Sequence, residues 1–249
     1  VNGPFFLGVG GVVSGDIAVP EHAKELAFYS KVLTTGIAPF WRDDLSNRHG
    51  TPIIGLGERT PEYESIPLQW MPHCQVADVA ASAARASEMG GTELMHGKDG
   101  DGNSQWAALA DPNGVAFGII PIVDEEATAG AYQPDGTPYI SWLSLVSPGV
   151  EASCDFYESV VGWTTMQADG SGRREIRRGD GAIAGEISPV SPDTSTPPVW
   201  VLYLPVDDLD ESLRRAAEHG GKIIREPGDS GRAVVQDPVG ACFGLESRG

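Results

Sequence analysis

The 249-residue chain is short of cysteine, of basic residues and of long apolar runs, and each shortage closes off a class of function. Its three cysteines, Cys74, Cys154 and Cys242, are odd in number, widely spaced and without a Cys-x-x-Cys pair. That argues against a disulfide framework and against a structural zinc site. Buried thiols in a reducing cytoplasm are expected instead. Lys and Arg total 17 against 35 Asp and Glu, a formal net charge of −18. Nucleic-acid backbones and anionic membranes both attract basic faces, so neither is expected as a partner. No stretch approaches the roughly 18 consecutive apolar residues of a membrane span. The segment from Val1 to Gly15 lacks the basic flank of a secretory signal, and the expected location is cytoplasmic. Chemical motifs are missing too. There is no Gly-x-Ser-x-Gly elbow, and the Gly8–Gly11 and Gly97–Gly102 runs lack the strand-to-helix setting of a phosphate loop. Asp99-Gly100-Asp101-Gly102-Asn103 lacks the distal Glu of a calcium loop and reads as a hairpin turn.

What is present is a repeat. Phe28-Tyr29 recurs as Phe156-Tyr157 at an offset of 128, and the stretch from Trp70 to Gly90-Gly91 recurs from Trp200 to Gly220-Gly221 at 130. Asp111-Pro112-Asn113-Gly114 recurs as Asp237-Pro238-Val239-Gly240 at 126. Offsets that drift by a few residues mean two copies of one domain separated by small loop changes. The copies are assigned to residues 1–124 and 138–249, with 125–137 as a linker.

Each copy reads as strand, helix and three short strands, followed by the same pattern again. Pro20 suits the opening turn of a helix running to about Leu33, with Gly36 as its stop. Asp78 caps a second helix that ends at Gly90-Gly91. Asp208 with Glu211 has the form of a capping box, and Leu209, Leu213 and Ala216 form an apolar stripe behind it. Trp200–Val206 and Ala233–Gln236 read as half-buried strands.

Phe-Tyr late in a first helix, Val-x-Asp opening a second, Gly-Gly, and Asp-Pro-x-Gly before a last strand together resemble the vicinal oxygen chelate superfamily. This superfamily holds glyoxalases, bleomycin-resistance proteins and extradiol dioxygenases, and the layout is most similar to its tandem glyoxalase-like branch. The resemblance implies an α+β fold of two domains. Each would pair two βαβββ modules into a U-shaped mixed sheet around a cavity, with helices outside. It also implies where a divalent metal would be held. Those positions are Ser14, Met71 and Gly118 in the first copy and Trp142, Val201 and Gly244 in the second, with Glu186 or its counterpart Leu56 on a further strand. None of the six well-defined positions carries an imidazole or carboxylate, so no metal and no cofactor are expected. A metal enzyme would have to draw on residues elsewhere, such as His49, His73 or Glu58.

Side chains alternate along a strand, so residues two apart share the inward face. In the first copy this turns Gln69, Met71, His73 and Gln75 toward the cavity, opposite Ser14 and Asp16. In the second it turns Ile140, Trp142, Ser144, Val201 and Tyr203 inward. Trp142 is the candidate stacking platform, Tyr203 and Ser144 offer hydrogen bonds, and His73 is a donor or general base. The competing readings are that Trp142 plugs the vacated metal position and that His73 and Tyr203 are packing residues. Arg173, Arg174, Arg177 and Arg178 read as a surface hairpin, or as a gate for an anionic ligand. The favoured function is metal-independent binding of a small aromatic or apolar molecule, of the kind used to sequester or resist a drug. The alternative is a glyoxalase- or dioxygenase-type enzyme with displaced ligands or a bound cofactor. A third reading is an interaction protein with vestigial cavities. Single-domain members of this superfamily pair across a dimer, an interface that a tandem chain supplies internally, so a monomer or homodimer is expected.

Overall fold

The computed structural model describes residues 1–126, 138–192 and 195–248, so the expected linker lies largely outside the described residues. The N-terminal half runs β1 (Val12–Val19), α1 (His22–Leu33), β2 (Ile54–Glu58), β3 (Met71–Val76), α2 (Val79–Glu88), β4 (Thr92–Lys98), β5 (Ser104–Ala110) and β6 (Ala116–Pro121). The C-terminal half runs β7 (Trp142–Ser147), α3 (Val150–Val161), β8 (Thr164–Gln167), β9 (Arg174–Arg177), β10 (Ile183–Pro189), β11 (Trp200–Val206), α4 (Leu209–Glu218), β12 (Lys222–Arg225), β13 (Arg232–Gln236) and β14 (Cys242–Ser247). Each half folds into one mixed sheet, ordered β2-β1-β3-β6-β5-β4 in the first and β12-β13-β14-β11-β7-β10-β9-β8 in the second. The fold is therefore α+β, in two halves of matching strand order.

The halves differ where the first module should add strands. After α1 only β2 forms, and residues 34–53 run irregularly apart from a Ser46–Pro52 bridge. Turn chemistry explains this. The Asn47 side chain accepts from the backbone of His49 and Thr51, and Leu45 takes a left-handed φ of 60°. Phe40 and Trp41 stay buried in this loop, stacked on Tyr139, and Trp41 donates to the Pro205 carbonyl of the other half.

Helix boundaries follow local chemistry. Asp78 and Asp208 are N-caps that accept from Ala81 and Glu211 backbone amides. Glu211 does not complete the capping box; it pairs with Arg214 and Arg215 on the exposed side. Pro20 lies before α1 rather than in it, and Glu21 makes the entry turn at φ 53°.

The helices lie on the face of each sheet away from the cavity, and there the halves interlock. Helix α1 packs on α4 and α2 packs on α3. Phe28 and Tyr29 of α1 stack on Phe243 of β14, while Phe156 and Tyr157 of α3 stack on Phe117 of β6. Polar latches repeat the exchange. Trp70 donates to Tyr29 Oη (2.8 Å), which donates to Asp237 (2.7 Å); Trp200 donates to Tyr157 Oη (2.9 Å), which donates to Asp111 (3.1 Å). Each Asp-Pro-x-Gly aspartate thus holds the tyrosine of the opposite half, and the two latches are related by a pseudo-twofold axis. The aspartate's other acceptor sites take backbone amides of its own turn.

One departure from symmetry sits beside a latch. Glu25, 1% exposed, faces the Asp237 carboxyl, whereas its counterpart in α3 is Ser153, hydrogen-bonded to Ser147. Burial and the Asp237 charge push the Glu25 carboxyl up to about 8. The segment before β1 adds a second tie between halves. Arg178, 8% exposed, donates to the carbonyls of Val1, Gly3 and Phe5 and covers the Phe6 ring, and Trp163 donates to the Gly10 carbonyl. The arginine run is thereby accounted for, since Arg173, Arg174 and Arg177 each pair with a glutamate. All three cysteines are free and buried, and burial pushes the Cys242 thiol up to about 11.

Candidate functional site

The strand registers set the two cavity faces side by side, residue for residue. On β1 Asp16 pairs with Met71 of β3 and Gly55 of β2; on β7 Ser144 pairs with Val201 of β11 and Glu186 of β10. His73 pairs with Gly118, as Tyr203 pairs with Gly244. Gly118 pairs with Ala108 and Ala108 with Met95; Gly244 pairs with Val234 and Val234 with Arg225. The position matching Glu186 is therefore Gly55 and not Leu56, which turns to the helix side and packs on the main core.

These pairs explain why the N-terminal half is hollow. Gly55, His73 and Ala108 stand where the other half has Glu186, Tyr203 and Val234. The space left is a cavity of about 740 Å³, within the usual range for ligand sites of about 300–1,000 Å³. Met71, Ile66, Tyr63, Met95 and Trp106 give it an apolar and aromatic wall, and Ala108 and Gly118 form its floor. Trp106 lies against Gly97, where a Cβ would sit 2.2 Å from the indole nitrogen, so only glycine admits that ring. The polar end is a chain of three side chains. Ser14 Oγ lies 2.9 Å from His73 Nδ1, and His73 Nε2 lies 3.3 Å from Asp16 Oδ1. An ionised Asp16 only accepts, so the arrangement suits a proton on Nε2 and a hydroxyl of Ser14 donating to Nδ1.

In the C-terminal half the described residues at the matching positions carry larger side chains. Tyr203 is fully buried, its hydroxyl between Ser144 and the Arg225 guanidinium. The Arg232 guanidinium lies 4.2 Å over the Trp142 ring and pairs with Glu246, and Arg173 pairs with Glu186. Of the residues singled out from the sequence, Met71 and His73 line the open cavity together. Gln75 is buried beyond its end, donating to the Phe6 carbonyl and accepting from the Val123 amide. Gln69 likewise accepts from the Ala116 amide. Trp142, Ser144 and Tyr203 are brought together in the C-terminal half, and Ile140 belongs to the helix-side core. Ser14 and Asp16 also face the open cavity, as strand alternation expects, whereas Tyr63, Met95 and Trp106 are additions from the structure. Aligning the copies strand by strand is the signal that finds them.

The donor set does not fit a catalytic metal. A Cβ on Gly244 would lie 2.3 Å from the Tyr203 ring, so that ring occupies the place of a glutamate ligand. In the open half Met71 and Gly118 offer neither imidazole nor carboxylate. Among the described residues no three His, Cys, Asp or Glu side chains are grouped to hold an ion. His49 is exposed in the irregular loop, away from the cavity lining. The Asp99 turn is closed on itself, its carboxylate accepting from Asp101, Asn103 and Gln105. No described helix is long and apolar enough to cross a membrane.

Known proteins share this architecture. The chain is 32% identical over 209 residues to "Putative glyoxylase CFP32" of Mycobacterium tuberculosis, covering 81% of this chain and 78% of that protein. It is 28% identical over 190 residues to "Anthracycline biosynthesis protein DnrV" of Streptomyces peucetius, covering 74% and 67%. Among solved structures, the Mn(II)-bound glyoxalase from Novosphingobium aromaticivorans aligns at a TM-score of 0.53 and 16% identity, over 96% of this chain and 82% of that one. The 2,3-dioxygenase LapB from Pseudomonas sp. KL28 aligns at 0.54 and 12%, over 98% and 94%. At such identities these structures show a common fold alone. Residues 13–120 match the Glyoxalase-like domain and residues 139–242 match the Glyoxalase/Bleomycin resistance protein/Dioxygenase superfamily. With two latched halves of matching strand order, a cavity in the place of the metal and both halves matched, the chain belongs to that vicinal oxygen chelate superfamily.

Proposed function

We propose that the chain binds a small, flat organic molecule in the N-terminal cavity without a metal, as a carrier or sequestering protein. The observation that carries this reading is the hollow itself. One half keeps a cavity walled by Met71, Tyr63, Met95 and Trp106, while its twin carries Tyr203, Val234 and Glu186 at the positions that Gly55, His73 and Ala108 leave open. An apolar wall left open to water forgoes packing contacts that a ligand would supply. The name of the Streptomyces relative ties that protein to anthracycline biosynthesis, which makes polycyclic aromatic compounds natural probes for this one.

The Ser14–His73–Asp16 chain favours a second reading, acid–base catalysis on a bound substrate. Titration calorimetry with a panel of polycyclic aromatics, an anthracycline aglycone among them, tests the first. Stoichiometric binding that survives a chelator and is lost in Met71→Trp, which fills the cavity, is the expected result. Turnover of a bound compound that is abolished by His73→Gln would replace the carrier reading with the enzymatic one.

A further inference from the structure

The charges around the open cavity restrict what it takes. Asp16 is the carboxylate on its inner face, Glu58 stands at the rim where β2 meets the entry of α1, and the lining holds neither lysine nor arginine. The matching face of the other half is the reverse, since Arg225 and Arg232 stand where the open half has Met95 and Trp106. Asp16 turns Oδ1 to His73 Nε2 at 3.3 Å, while its side chain is about half-exposed and no described residue donates a hydrogen bond to Oδ2. Gly55 and Gly57 leave the space beside Asp16 free of side chains. Trp106 is 41% exposed and Tyr63 is half-buried nearby, so two electron-rich rings share the site with the carboxylate. A net charge of −18 adds a long-range field of the same sign.

We infer that the cavity selects a cationic aromatic ligand: a protonated amine seated on Asp16, with its ring system over Trp106. An ammonium group donates to the Asp16 oxygen that His73 does not face and gains from the adjacent ring faces. An aromatic carboxylate meets the like charge of Asp16 and no lysine or arginine in the lining. This inference deepens the binding reading above and rests on it.

The test uses three matched probes, 2-naphthylmethylamine, 2-naphthylmethanol and 2-naphthoate, titrated calorimetrically into the full chain at pH 8. A charge-assisted hydrogen bond corresponds to about tenfold to a hundredfold in affinity. The amine should therefore bind at least about tenfold more tightly than the alcohol, and the carboxylate more weakly than either. Asp16→Asn, an isosteric change on a half-exposed side chain, should bring the amine down to the level of the alcohol and leave the alcohol unchanged. Glu58→Gln should have the smaller effect, and added salt should erode only the amine's advantage. Equal binding of amine and alcohol by the native chain would overturn the charge inference while leaving the binding reading intact. So would an amine preference that persists in Asp16→Asn. If no probe binds, or if all bind Met71→Trp as well as the native chain, both fall together.

Discussion

Replacing Glu25 by Gln should remove a pH dependence that the native chain builds into the contact between its halves. Glu25 is enclosed beside Asp237, and the charged groups facing it, Asp237 and Glu21, are both acidic. Its carboxyl moves from 4.5 to about 8 on folding. The folded state therefore holds the proton more tightly than the unfolded chain. Its contribution is complete below about 4.5 and is lost as pH rises through about 8. At about 1.4 kcal/mol per pH unit, the full displacement is on the order of 5 kcal/mol, shared between Glu25 and Asp237. Gln keeps the shape, remains neutral and can still donate to Asp237. The assay is urea unfolding followed by tryptophan fluorescence from pH 5 to 9, comparing the two proteins at each pH so that other carboxylates cancel. The difference should be small at pH 5 and grow by several kcal/mol in favour of Glu25→Gln by pH 9. Parallel profiles across that range would refute the reasoning.

Other outcomes follow from packing and from the cavity. Phe28→Ala and Phe156→Ala each remove a ring from the interlocked helix–sheet contact and should cost about 3–5 kcal/mol in urea unfolding. Arg178→Ala should free the segment before β1 and speed chymotryptic cleavage near Phe5-Phe6, with a loss of about 2–3 kcal/mol from its charged hydrogen bonds. Trp106→Ala should weaken binding of any aromatic probe about tenfold in calorimetry while leaving the urea midpoint in place. Met71→His with Gly118→Glu should create zinc affinity measurable by a competing dye. The same graft at Val201 and Gly244 should fail, because a Cβ at Gly244 meets the Tyr203 ring whereas one at Gly118 meets only the edge of His73 at 3.1 Å.

The tandem architecture is legible in the sequence because its anchors are motifs with local jobs. Caps such as Asp78 and Asp208, Gly-Gly stops and Asp-Pro-x-Gly turns act within a few residues. The crossing of the latches is not legible. Nothing near Tyr29 indicates that its partner lies 208 positions away in the other half, because a hydroxyl's demand for an acceptor carries no address. For the site, strand alternation turns Met71 and His73 inward, and the structure has them there. It also turns Gln75 inward, but Gln75 is taken up by backbone groups of Phe6 and Val123, long-range partners without a sequence signature. Trp142 has the chemistry of a stacking platform, yet Arg232, ninety positions further on, lies over its ring. Which half is hollow depends on Gly55, His73 and Ala108 against Glu186, Tyr203 and Val234, and that comparison requires the register of both sheets.

The pseudo-twofold arrangement of the latches has a consequence for how such a cavity can arise. In an assembly of two identical chains, every substitution appears twice, once on each side of the axis. A change that hollows one cavity hollows both, and a carboxylate placed beside one latch is placed beside the other. Two copies joined in a single chain escape that bond. Glu25 can stand opposite Ser153, and an open face opposite one with larger side chains, because each copy answers only to its own codons. One half can then keep tyrosine, glutamate and arginine on its inner face, while the other is free to drift toward whatever its opening comes to hold.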